Sequence, residues 1–247
     1  MPRLEVAPNI HRLGSAIIHF FAVVDGDAVT IVDAGVAGYR PQVEQLLASL
    51  GRSPSDIRAV ILTHAHADHV GIAEMLREET GAEVFVHARD KDLATTAKAM
   101  GKNEGSMVPY LRYPAAWRLL GELRRNGGMK PRPIADVTTF EDGDELDVPG
   151  RPRVVHTPGH TDGHVVFEFP QSDAVLVGDA LCTYNPLTGA RGPQLLPKAL
   201  NRKVSQALAS LDRIEGIDAR HVLLGHGEEF DGGAREAAQR ARERGPT

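Results

Sequence analysis

The six residues His64-Ala65-His66-Ala67-Asp68-His69 concentrate the donor groups that divalent cations take. Imidazole nitrogens and carboxylate oxygens bind zinc and related ions directly. In an extended segment successive side chains alternate, so His64 and His66 point to one side and can share a cation. Asp68 and His69, at the turn into a following helix, can then face a second cation beside the first.

Three more residues offer the same chemistry in a similar setting. His160 lies in Thr157-Pro158-Gly159-His160-Thr161, Asp179 in Gly178-Asp179-Ala180, and His226 in Leu224-Gly225-His226-Gly227. Each follows an apolar run and is flanked by glycine, where backbone packs closely and a side chain can face a cleft. Four such loops at equivalent strand ends predict one metal centre.

The elements that must carry these loops are legible as alternating strands and helices. Phe20–Val24 and Ala28–Val32 read as two strands about the turn Asp25-Gly26-Asp27. A helix is expected from Pro41 to Leu50, stopped by Gly51. A buried strand at Ile57–Leu62 runs straight into the histidine cluster, and helix Gly71–Glu79 and strand Glu83–His87 follow. That order predicts a layered α/β domain with helices covering a sheet. Between Arg89 and Asn126 two helical stretches, Lys91–Met100 and Tyr110–Arg125, read as a helical insertion (89–126) within one domain (1–247). Strands are then expected at Val137–Phe140, Leu146–Val148, Arg153–Thr157, His164–Phe169 and Ala174–Val177. Helix Lys203–Ile214, strand His221–Leu224 and helix Ala234–Arg244 complete the chain.

Composition narrows the partners. The 247 residues are 42% hydrophobic and 25% charged, as in an ordinary globular protein, with a formal net charge of −5. An acidic balance argues against nucleic acid, whose binders usually carry a basic surplus. One cysteine cannot form an intrachain disulfide. Met1-Pro2-Arg3-Leu4-Glu5 lacks a signal pattern, and the apolar stretch Ala16–Val24 is too short to cross a bilayer. A small-molecule substrate, no membrane and a cytoplasmic location are therefore expected.

The ordered set His64, His66, Asp68, His69, His160, Asp179 and His226 resembles the metallo-β-lactamase superfamily, over nearly the whole chain. The resemblance implies an αββα sandwich with two divalent metal ions at one edge, zinc first, with iron or manganese as alternatives. It assigns His64, His66 and His160 to site one, Asp68, His69 and His226 to site two, and Asp179 as the bridge. True metallo-β-lactamases lack that bridging aspartate, which turns the expectation away from antibiotic amides. Glyoxalase II enzymes share all seven ligands but add a glutathione-binding domain, whereas 21 residues follow His226 here. Quorum-quenching lactonases are similar in length; their tyrosine three residues after the bridge is replaced by Cys182, with Tyr184 two further on.

The activity so implied is dinuclear metal-dependent hydrolysis of a small ester, lactone or thioester by a metal-bridging hydroxide. Asp68 is the candidate to orient that nucleophile or pass its proton to the leaving group, or it is a ligand only. Asp33 either supports the metal loops or caps its strand. Cys182, Tyr184, Tyr110, Tyr113 and Trp117 are candidate pocket residues; the insertion that carries the last three is a lid, a self-packed helical pair or a homodimer contact. His164 reads as a structural strand residue, and His11, His19, His87, His156 and His221 as ordinary histidines. The rival functions are an iron-dependent persulfide dioxygenase, a β-lactamase-type amide hydrolase and a non-catalytic metal-binding module.

Overall fold

A computed structural model describes residues 5–96 and 103–245. Strands β1 (Glu5–Ala7), β2 (Ile10–Gly14), β3 (His19–Asp25) and β4 (Ala28–Val32) form an antiparallel meander. Helix α1 (Arg40–Ser49) leads to β5 (Ile57–Ile61), α2 (Ala73–Thr80) to β6 (Glu83–His87), and helices α3 (Lys91–Thr96) and α4 (Pro114–Arg125) precede β7 (Thr138–Phe140). Strands β4 to β7 pair in parallel, which completes a seven-stranded sheet in sequential order.

The second sheet has β8 (Arg153–His156), β9 (Val165–Phe169) and β10 (Ala174–Gly178). After the hairpin β11 (Cys182–Tyr184) and β12 (Arg191–Gln194) come α5 (Val204–Glu215), β13 (His221–Leu224) and α6 (Ala234–Arg244). Its order is β13-β10-β9-β8, with β13 parallel to β10.

Period-2 alternation explains the layering. In β3, Phe21 and Val23 point between the sheets while Phe20 and Ala22 face the helices. In β10, Ala174 and Leu176 point inward, and Val175 and Val177 meet α5 and α6. Val43 and Leu47 of α1 and Leu76 of α2 cover the first sheet; Leu211, Ile214 and Ala237 cover the second. The order of layers is αββα, the sandwich implied above.

Two expectations are corrected. Leu146–Val148 is no strand: the chain turns at Gly150 (φ 88°) and Arg151 donates back to Val148, although both apolar side chains still reach the core between the sheets. The helix expected over Tyr110–Arg125 is interrupted, because Tyr113 before Pro114 is extended and α4 begins afresh at the proline. Helix α3 ends at Thr96 in the described residues, so the rest of Lys91–Met100 lies outside them. The N-terminal strands and the β11–β12 hairpin are additions; their runs are short or broken by Gly and Pro.

The insertion rests on the main core. Ala116 and Leu119 of α4 join the apolar cluster beneath the first sheet. No helix among the described residues is long and apolar enough to cross a membrane.

His19, which opens β3, is buried, and its N–H donates to the carbonyl of Gly225, next to His226. Burial first, then Arg12 and His226, pulls its imidazole down to about 4 from 6.5. A base whose folded value is depressed stabilises the fold fully above 6.5 and loses that contribution as pH falls from 6.5 to 4. That loss amounts to about 3 kcal/mol. Chelator-treated protein is therefore expected to unfold more easily at pH 4.5 than at pH 7, and His19→Gln to narrow the difference, the remainder belonging to the other buried imidazoles held low. Denaturant midpoints that fall equally in both proteins would assign the acid sensitivity elsewhere.

Candidate metal centre

All seven side chains singled out by spacing converge. Their donor atoms form three overlapping groups: His64, His66 and His160; His64, His69 and Asp179; and Asp68, His69 and His226. Within each group the atoms lie within 4.8 Å of one another. The loop after β5 carries the first four residues, the loop after β8 carries His160, Asp179 follows β10 directly, and His226 follows β13. Parallel pairing of β10 with β13 puts the last two at one end of the second sheet.

In site one, His66 Nδ1 and His160 Nε2 are 2.8 Å apart, and His160 Nε2 and His64 Nε2 are 3.1 Å apart. Nitrogens at the corners of a zinc tetrahedron are separated by about 3.3 Å, close to this spacing. In site two, His226 Nε2 lies 3.6 Å from Asp68 Oδ2. Asp179 stands between the groups: Oδ1 is 3.5 Å from His69 Nε2, and Oδ2 is 3.3 Å from His160 Nε2 and 3.4 Å from His226 Nε2.

The far side of three rings is held by an acceptor, which aims the other nitrogen of each ring at the cleft. His69 Nδ1 is 2.9 Å from Asp33 Oδ2, and His226 Nδ1 is 2.6 Å from the carbonyl of Ile17. The Thr63 hydroxyl reaches Asp33 at 2.9 and 3.0 Å and lies 3.1 Å from His64 Nδ1. With the hydroxyl donating to the carboxylate, His64 Nδ1–H donates to the hydroxyl and Nε2 is free to bind. These tautomers are assigned from the hydrogen-bond network. Such outer partners orient histidine ligands and raise their basicity. Asp33 adopts a left-handed backbone (φ 59°), uncommon outside glycine, and its Oδ1 also accepts Thr63 N–H at 2.8 Å. It therefore supports both ligand groups and is more than a strand cap.

The electrostatics divide the cluster: against burial, Asp33 and Asp179 draw His69 well above the usual imidazole value and Asp179 raises His226, so a cation there would take the place of a proton. Burial, with the neighbouring rings, pushes His64 and His160 well below the usual imidazole value, and burial lowers His66. They are neutral, the form that donates a lone pair. Burial alone would raise the Asp179 carboxyl, but His226 and His69 hold it well below the carboxylate range. Two buried atoms, His69 Nε2 and Asp179 Oδ1, face each other with no hydrogen bond to either. A buried polar pair without a hydrogen bond is costly, and a cation between them satisfies both. The donor set thus fits a pair of divalent ions.

Glycine beside the ligands is a spatial requirement. A Cβ at Gly225 would sit 2.5 Å from Asp179 Oδ1 and 2.8 Å from His69 Cε1. One at Gly159 would sit 2.1 Å from Ala207 N, where α5 packs against the His160 loop.

Two contributors escaped the spacing argument. His164 is fully buried; its Nε2 accepts the N–H of Asp179 at 3.1 Å and its Nδ1 lies 2.9 Å from Thr157 Oγ1. It is structural, as expected, but its task is to fix the backbone of Asp179; its spacing four after His160 was the available signal. Asp90 is the other, a buried carboxylate between two ligand loops.

The proposed pocket residues scatter. Cys182 is corrected: it is fully buried with Leu187 and Leu196 in the core, and burial, aided by Asp179, pushes its thiol up. Tyr184 lines a cavity of about 520 Å³ together with Arg118, Arg191 and Gly227. Tyr110 is half-buried against the core, and the Tyr113 hydroxyl accepts from Arg112 at 2.9 Å. Trp117 is 56% exposed, at a separate shallow cavity with Ile17 and Arg118. The cavity that touches site one, about 290 Å³, is instead bordered by His66, His160, Leu93, Thr161 and Arg202.

Residues 16–226 match the model of the metallo-beta-lactamase superfamily, and the chain belongs to that family. It is 27% identical over 233 residues to a probable metallo-hydrolase, YqjP, of Bacillus subtilis (strain 168), covering 90% of this chain and 70% of that one. It is 30% identical over 220 residues to Rv2581c of Mycobacterium tuberculosis (strain ATCC 25618 / H37Rv), an uncharacterized protein, covering 85% and 84%. Among solved structures, the metallo-beta-lactamase family protein TTHA1429 of Thermus thermophilus superposes with a TM-score of 0.69 at 26% identity, covering 96% and 79%. TTHA1623 in a di-iron-bound form superposes with a TM-score of 0.64 at 26% identity, covering 93% and 96%.

Proposed function

We propose that this protein is a dinuclear metal-dependent hydrolase of a small carboxylic ester, lactone or thioester. The observation that carries the proposal is the complete donor set, with His64, His69 and His226 held from behind. The metallo-hydrolase name of a relative and the di-iron state of another support the class and the number of ions. Zinc is the proposed resident, with iron or manganese accepted by the same N/O set.

Two divalent ions there supply a water acidic enough to ionise near neutral pH and a Lewis acid for a carbonyl. The chain does the rest. His64, His66 and His160 would hold the first ion and Asp68, His69 and His226 the second, with Asp179 placed between the two groups. The side chain of Asp68, 18% exposed, is the most open among Asp68, Asp179 and their histidine partners in close ion pairs. With the ions bound, its carboxylate would be the group to take a proton from an attacking water and return it to the departing alkoxide or thiolate. No serine or cysteine nucleophile is used, consistent with the buried Cys182. A small acyl group fits the 290 Å³ cavity against Leu93, and Arg202 at its rim is paired with Asp162 at 2.8 Å. The substrate is thus a small molecule.

A panel of esters, lactones, thioesters and β-lactams, with metal content measured on the same sample, tests this. Hydrolysis of an oxygen or sulfur ester with two metal equivalents is expected. Full metal loading without turnover on any member would favour a binding module. One tightly held iron with oxygen uptake on a persulfide would favour a dioxygenase.

A further inference from the structure

Asp90 ends the turn after β6, outside every motif that marked the ligands, and is 2% exposed. Its Oδ2 accepts the N–H of Ala65 at 3.2 Å and the hydroxyl of Thr161 at 2.7 Å; its Oδ1 accepts the N–H of Gly163 at 2.8 Å. Ala65 lies between His64 and His66, and Thr161 follows His160. One carboxylate therefore ties together the two loops that build site one. The fit is close: a Cβ on Gly163 would lie 2.7 Å from Asp90 Oδ1. Asp33, by contrast, reaches His69 as well as His64 through Thr63, and the described bonds of Asp90 include none to Asp68, His69 or His226.

We infer that Asp90 is a positioning residue for the first cation site alone, setting the distance between the His64/His66 pair and His160. A buried carboxylate that accepts from three donors and is in no ion pair among the described residues keeps its place only while both loops are docked on it. Removing it leaves two buried N–H groups and a hydroxyl without an acceptor, and the loops part to reach water. The three nitrogens then spread beyond the spacing that a single ion bridges. Site two has its own supports, Asp33 and the Ile17 carbonyl, and is left in place.

The inference rests on the two-cation reading of the site but not on the reaction. Metal-free wild type, Asp90→Ala, Asp90→Asn and Thr161→Val are titrated with Co2+ against a competing chelator, following the visible cobalt bands. His66→Ala, which lacks a site-one donor, identifies the step that belongs to site two. In Asp90→Ala the site-one step is expected to weaken about 10–100-fold while the site-two step stays within about threefold. Thr161→Val, which loses a single donor, moves the same step by less, and Asp90→Asn falls between. Equal weakening of both steps, general misfolding of all three variants, or no change would overturn the inference. Wild type that binds fewer than two Co2+ would instead overturn the two-cation reading itself.

Discussion

Asp179→Ala is expected to lose more than about 10³-fold in kcat/KM on any substrate the protein hydrolyses, while the metal-free protein keeps its fold. The carboxylate is the one group within 3.5 Å of a ring nitrogen from three different loops, those of His69, His160 and His226. On the two-ion reading its loss would remove a donor from both ions at once. The fold should survive, because its backbone N–H donates to His164 whatever the side chain, and because a buried anion is itself costly. Kinetics after trace-metal stripping, beside chelator-treated melting curves, separate the two effects. Turnover near wild type would remove Asp179 from the mechanism; a collapsed fold would make it a structural anchor.

The second large effect is expected from Asp33→Asn, a change of one atom in a dry place. The amide can still accept the N–H of Thr63, but its nitrogen then faces His69 Nδ1, which lies 2.9 Å from Asp33 Oδ2. To accept from the amide, His69 must move its proton to Nε2, the atom aimed at Asp179 and the second ion. Outer partners of this kind typically tune metal affinity about 10–100-fold, and the wrong tautomer adds to that loss. Stability should fall by only about 1–2 kcal/mol, since most of the hydrogen bonds are kept. Asp33→Ala, with no acceptor at all, should cost more, about 3–5 kcal/mol. Site-two affinity that is unchanged in Asp33→Asn would contradict the tautomer argument.

The metal-binding cluster was legible because imidazole and carboxylate recur where apolar runs end, four of them packed into His64–His69 and three, His160, Asp179 and His226, beside glycine. The layers were legible for a related reason, since Phe20–Val24 and Ala174–Val177 alternate as two-faced strands must. The supports were hidden. Asp90 meets Thr161 and Gly163 across 71 and 73 residues, and nothing local in Ala88-Arg89-Asp90 announces that meeting. The Ile17 carbonyl, which holds His226 from 209 residues away, has no sequence signature at all. Cys182 was placed by its position three residues after Asp179, which left pocket and core both open; it lies fully buried in the core. In the insertion, α4 buries Ala115, Ala116 and Leu119 and leaves the Trp117 indole 56% exposed, a division that the run of apolar residues in the sequence did not reveal.

The most direct measurement is anomalous diffraction from crystals of the zinc-loaded protein. Two peaks are expected within the cluster, one about 2.0–2.2 Å from nitrogens of His64, His66 and His160, the other at that distance from Asp68, His69 and His226. Asp179 should reach both. A single peak, or two that leave any of the seven side chains uncoordinated, would contradict the dinuclear centre.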